Sequence, residues 1–160
     1  MKKWNYVLIY GSLLGAMRNK SIIPWTGDLD LAVINDVYDN KLHLAETKQD
    51  IWLYGYFLFH HEVYRLCPHR NHPDAKIMST LNNSKKMKPY TAPYMDMYRL
   101  NPEAKSEGWY IPYLGVKNKP IHISFRTKVV LEEYAFPAPE SPLAHVIYTY
   151  GNNFTLEKRY

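Results

Sequence analysis

An α/β (α+β) fold, a mixed sheet with flanking helices, is predicted by three observations. Short runs of β-branched and aromatic residues alternate with stretches of helical spacing. An apolar run is stopped by Gly11-Ser12 and followed by a helix pattern. Further on, two apolar segments carry carboxylates inside them, Asp28 and Asp30 in one and Asp96 in the other.

The elements follow in chain order. Tyr6-Val-Leu-Ile-Tyr10 reads as a buried strand ended by Gly11, and Ser12 to Asn19 as a short helix with Ser12 near its N-terminus. Pro24 breaks what precedes it, and Leu29 to Ile34 reads as a second strand. Leu42, Ala45 and Trp52 fall at helical spacing, predicting one helix over Tyr38 to Tyr54 that Gly55 ends. Tyr56 to Phe59 and Val63 to Leu66 read as strands around a His-His-Glu turn, and Pro68 to Pro93 as mostly loop. Tyr94-Met-Asp-Met-Tyr98 is a strand with a central acid, and Trp109 to Tyr113 and Ile121 to Phe125 suggest further short strands. Ser141-Pro142, an apolar run to Tyr150 and Gly151 together give the clearest helix: a cap, a first-turn proline and a closing glycine.

The composition narrows the function. At 160 residues, the chain fits one domain, 1–160, with a sizeable core. Its 15 tyrosines suit half-buried strands and polar clefts alike. The single cysteine, Cys67, excludes an intrachain disulfide framework. No apolar stretch is long enough to span a bilayer, and the run after Met1-Lys2-Lys3 is too short for a signal-peptide core. A net charge of +5 suits an anionic substrate. The basic residues are scattered, and their one tight cluster, Lys85-Lys86-Met87-Lys88, reads as a solvated loop, so no nucleic-acid partner is expected.

Asp28 and Asp30 are the centre of the functional reading. Residues two apart on a strand share a face, so both carboxylates project together while Leu29 and Leu31 enter the core. Like charges so placed repel, and a divalent cation resolves the conflict; hard oxygen donors favour Mg2+ or Mn2+. The plain alternative is a solvent-facing acidic pair on an edge strand. Gly11 and Ser12, between strand and helix, offer backbone N–H groups as a phosphate seat, or form an ordinary turn. Asp96 sits in an apolar strand centre. If its strand lies beside the other, three carboxylates meet, and the third shares the ion or takes a proton from an acceptor hydroxyl. His60, His61, Cys67, His69 and His72 invite a zinc reading, but their spacing matches no standard module.

Strand, Gly-Ser, helix, Asp-x-Asp strand and a later strand with a central Asp is the pattern of polymerase-β-like nucleotidyltransferases. More specifically, Tyr10-Gly-Ser-Leu-Leu-Gly-Ala-Met-Arg18, Ile23-Pro-Trp25 and Asp28-Leu-Asp-Leu31 resemble the signature of the LicD/fukutin family. Tyr94-Met-Asp-Met-Tyr98 resembles its third-carboxylate strand, and Phe136-Pro-Ala-Pro139 with the helix ending at Tyr148-Thr-Tyr-Gly151 resembles its tail. The resemblance implies a metal-dependent phosphotransferase. Its donor would be a cytidine diphosphate alcohol carrying phosphocholine or alditol phosphate, and its acceptor a sugar hydroxyl of a glycan or glycoconjugate. It makes Asp28, Asp30 and Asp96 the catalytic and metal-holding residues and Gly11, Ser12 and Arg18 the donor-binding ones. Arg18 fits because its fork matches phosphate geometry; its plain reading is a surface residue ending a helix.

Two departures from the family pattern bear on the expectation. Thr26 and Gly27 stand where many bacterial members have an acidic run, which looks more like the fukutin-like branch. The chain also begins one strand before the Gly-Ser turn, where members usually carry helices and often a membrane anchor, which suggests truncation at the N-terminus. That opens the alternative of a degenerate, non-catalytic member that binds a glycan or partner protein. The compartment stays open too: the Golgi lumen for a eukaryotic member, the cytoplasm for a bacterial one.

Overall fold

A computed structural model describes residues 4–69, 72–74, 93–103, 108–111, 122–123 and 125–156. The first strand, β1 (Tyr6–Leu8), leads into α1 (Tyr10–Arg18) and then β2 (Asp28–Ile34). Two short helices, α2 (Asn35–Asn40) and α3 (Ala45–Leu53), precede the hairpin β3 (Tyr56–His61) and β4 (Val63–Pro68). After them come β5 (Tyr94–Pro102), β6 (Trp109–Tyr110), the hairpin β7 (Lys128–Leu131) and β8 (Tyr134–Pro137), and α4 (Pro142–Tyr150). The main sheet runs β1-β2-β5-β4-β3, with β6 paired to β5. It is mixed: β2 and β5 are parallel, while β1–β2, β4–β5 and β3–β4 are antiparallel. The fold class is therefore the one the sequence predicts.

The core forms because alternation along β2 sends its two sides to different apolar layers. Leu29 and Leu31 face α1, packing with Leu8, Leu13 and Val146 of α4. Ala32 and Ile34 pack with Val7, Ile9 and Leu100. Gly15 is required in α1 by a close approach: a Cβ there would overlap the carbonyl oxygen of Ser21. That contact brings the Ser21–Trp25 loop against the helix.

Several expectations are corrected. The helix expected over Tyr38 to Tyr54 is two helices, because a turn at residues 41–43 buries Leu42 completely and re-aims the chain; Trp52, one of the residues whose spacing suggested the helix, is 51% exposed. His60 and His61 belong to β3, and the turn is made at Glu62, whose φ is +63°. Residues 122, 123 and 125 are not strand; Phe125 has φ +54°, which breaks an extended run. β7–β8 was not anticipated. Ser141 stands at the N-cap of α4 but makes no capping side-chain hydrogen bond, whereas Pro142 and Gly151, at φ +83°, take their expected places. Helix α1 begins at Tyr10, so Ser12 lies inside its first turn. Most of the stretch expected as loop, including Lys85–Lys88, and the end of the strand expected over Trp109 to Tyr113 lie outside the described residues.

Candidate metal centre

Three carboxylates converge where β2 and β5 begin. The parallel register sets Asp30 opposite Asp96 and Asp28 opposite Tyr94, so all these side chains leave one face of the sheet. Asp28, Asp30 and Asp96 each bring a carboxylate oxygen to within 4.8 Å of the others. Among the described residues they are the one group of three possible ligating side chains this close. Asp30 and Asp96 are buried and Asp28 half-buried.

The turn after β1 aims Asp30. The Ile9 N–H still pairs with the Asp30 carbonyl, at 3.2 Å, and Tyr10 then takes φ +42°, a left-handed conformation costly for a residue with a side chain. That sharp bend starts α1 directly over β2. Gly11 N–H donates to Asp30 Oδ2 at 3.1 Å, and the Asp30 N–H donates to Ser12 Oγ at 2.7 Å. The backbone group expected to seat a phosphate is thus turned on a carboxylate of the chain itself. Ser12 is buried and acts as a strut between helix and strand.

The electrostatics fit a cation. Burial, and then the neighbouring charges of Asp28 and Asp96, push the Asp30 carboxyl up to about 7, against the hydrogen bonds from Gly11 and Ser12. Asp28 is raised by burial and by Asp96, against a hydrogen bond with Tyr94. Burial also raises the Tyr150 phenol, and the Asp30 and Asp28 charges add to it, which puts α4 within electrostatic reach of the cluster. An all-carboxylate set with charges this crowded suits a hard divalent ion such as Mg2+ or Mn2+.

One residue of the centre went unrecognised in the sequence. Arg65, buried in β4, donates from Nε to Asp96 Oδ1 at 2.7 Å. A charged side chain inside Val63-Tyr-Arg-Leu-Cys67 was the available signal, the same one that singled out Asp96.

Arg18, half-buried at the end of α1, lies elsewhere. With Gly11, Leu14, Trp25, Tyr150 and Phe154 it lines a cleft of about 170 Å³. Gly11 belongs to both the cleft and the carboxylate site, so the two are contiguous.

Among the described residues, the histidines and Cys67 form no comparable group. His69 packs against Trp52 with ring centroids 4.1 Å apart, and His72 against Tyr56 at 4.8 Å. Cys67 is fully buried, and burial pushes its thiol up to about 11, away from the thiolate that zinc requires.

A family model described as the LicD/FKTN/FKRP nucleotidyltransferase domain matches residues 3–148. An uncharacterized protein of Rickettsia typhi is 31% identical over 65 residues, which is 41% of this chain and 20% of that protein. Another from Rickettsia prowazekii is 31% identical over 62 residues, 39% of this chain and 22% of that protein. The match therefore spans about a fifth of each relative. The family model covers most of the chain, including the turn, the Asp28–Asp30 strand and Asp96, and the chain belongs to the LicD/FKTN/FKRP nucleotidyltransferase family.

Proposed function

We propose that the three-carboxylate centre is the active site of a metal-dependent phosphotransferase. It would move a substituted phosphate, phosphocholine or an alditol phosphate, from a cytidine diphosphate donor to a sugar hydroxyl of a glycan. The observation that carries the reading is the convergence of Asp28, Asp30 and Asp96 beside an aromatic-walled cleft. Membership of the family supports a transferase role.

Asp28, Asp30 and Asp96 would hold the Mg2+ or Mn2+ ion, whose chemistry there is to neutralise the diphosphate and the departing nucleoside monophosphate. The chain's own groups do the rest by placement. Gly11 and Ser12 fix the direction of Asp30. Trp25, Tyr150 and Phe154 give the cleft apolar walls that suit a flat nucleobase. Arg18, in the same wall, offers a planar fork to phosphate oxygens. Asp96, oriented by Arg65 through Oδ1, offers an oxygen to the same ion.

The test is to incubate the protein with a panel of cytidine diphosphate alcohols, a glycan acceptor and Mn2+, and to assay released cytidine monophosphate. Release with at least one donor, abolished by Asp28→Asn, is expected. No release with any donor, alongside glycan binding that needs no metal, favours the non-catalytic alternative.

A further inference from the structure

Arg65 is held more firmly than a charge-balancing residue needs to be. The antiparallel β4–β5 register sets it opposite Asp96, and the parallel β2–β5 register sets Asp96 opposite Asp30. Guanidinium and two carboxylates thus stand in one row across three strands. The Arg65 and Asp96 side chains are 6% and 7% exposed. Nη1 of Arg65 lies 3.2 Å from His61 Nδ1, and the guanidinium carbon sits 5.5 Å from the centre of the Tyr94 ring. Tyr94 in turn hydrogen-bonds Asp28. The guanidinium is therefore braced by His61 on β3 and by Asp96 and Tyr94 on β5, and Tyr94 also reaches Asp28.

Two consequences follow. The hydrogen bond to Oδ1 fixes how the Asp96 carboxylate is turned toward the other two. And three carboxylates with one guanidinium carry two net negative charges, which a single divalent ion balances.

We propose that Arg65 is a positioning residue that fixes Asp96 for metal binding. This rests on the metal-centre reading above. It concerns the architecture of the ion site, and Mn2+ binding tests it without any turnover. The guanidinium also repels a cation, so the gain in geometry must outweigh that repulsion, and the measurement reads which effect wins.

The experiment is an electron paramagnetic resonance titration of the full chain with Mn2+ alone. The unsubstituted chain is expected to bind Mn2+. Arg65→Gln should weaken that binding about tenfold or more, the usual effect of losing a group that orients a metal ligand. Arg65→Lys should recover part of the loss, since it keeps the charge but not the fork. In an Asp96→Asn background, Arg65→Gln should cause no further loss, because the ligand it positions is gone. If Arg65→Gln alone does not fold, Arg65→Lys and the Arg65→Gln/Asp96→Asn pair, which removes both buried charges together, still decide. Unchanged or tighter binding in folded Arg65→Gln, or additive losses in the double variant, would each overturn the proposal. Those outcomes leave the phosphotransfer reading standing. Absence of any Mn2+ binding to the unsubstituted chain removes the metal centre, and this proposal with it.

Discussion

At the scale of single residues, Asp30 is where the cost of the site is concentrated. Its carboxyl titrates near 7 when folded, against the ordinary value of 3.8. Between those values the folded chain holds a proton that the unfolded chain has released. The metal-free protein should therefore lose stability as pH rises from about 4 to about 7, by at most roughly 1.4 kcal/mol per pH unit. Asp30→Asn should flatten this slope, which urea unfolding with chelator at pH 5 and pH 7 would measure. An identical slope in the variant assigns the pH dependence to other groups. Gly11 faces the same carboxylate: a Cβ there would sit 3.3 Å from Asp30 Oδ2, tight enough to displace it slightly. Gly11→Ala is expected to fold while losing Mn2+ affinity, read in the same titration as Arg65→Gln. Arg18→Lys keeps the charge but loses the fork, so donor affinity should fall by ~1–2 kcal/mol with Mn2+ affinity unchanged. Calorimetric titration with the donor checks this, and unchanged affinity would return Arg18 to the role of a surface residue.

Among the elements, α1 is the one whose placement everything else uses, since it carries Gly11, Ser12 and Arg18 and supports the Ser21–Trp25 loop. Alanine in place of a helical glycine ordinarily stabilises by roughly 0.8–1 kcal/mol. At Gly15 the sign should reverse, because the overlapping neighbour is the Ser21 backbone, which cannot rotate away as a side chain would. Gly15→Ala is expected to cost ~1–3 kcal/mol, visible as a lower denaturation midpoint with an unchanged slope. A gain in stability would show that the loop gives way easily. The β7–β8 hairpin and α2 were less legible than α1 and β2. Lys128-Val-Val-Leu131 and Tyr134-Ala-Phe-Pro137 carry a strand signal, but each is only four residues long. Helix α3 has a polar surface and buries Thr47 alone among its residues, so its apolar spacing misled: the core anchor there is Leu42, in the turn before it.

For the molecule as a whole, a centre that binds a cation in the folded state alone must couple metal to stability. At a hundredfold excess over the dissociation constant the gain is about 2.7 kcal/mol, or roughly 5–10 °C for a domain of this size. A melting-temperature titration with Mn2+ should show that shift in the unsubstituted chain and not in Asp30→Asn. A flat titration at millimolar Mn2+, with a cytidine diphosphate donor present, would remove the catalytic reading. The sequence by itself determined what local rules govern. Strand alternation put Asp28 and Asp30 on one face, Gly11-Ser12 marked the bend from strand to helix, and proline and glycine bounded α4. It also flagged Asp96, since an acid among apolar strand residues must be paired or functional. What it could not decide was the neighbour of each strand. Between β2 and β5 lie 59 residues of chain, after Ile34 and before Tyr94, and parallel pairing leaves no turn signature between them. Tertiary structure alone set Asp96 opposite Asp30, brought Arg65 to Asp96 from a third strand, and turned the Gly11 N–H onto a carboxylate. Register across non-adjacent strands is fixed by packing and hydrogen bonding summed over the whole sheet, and no short stretch of sequence carries that sum.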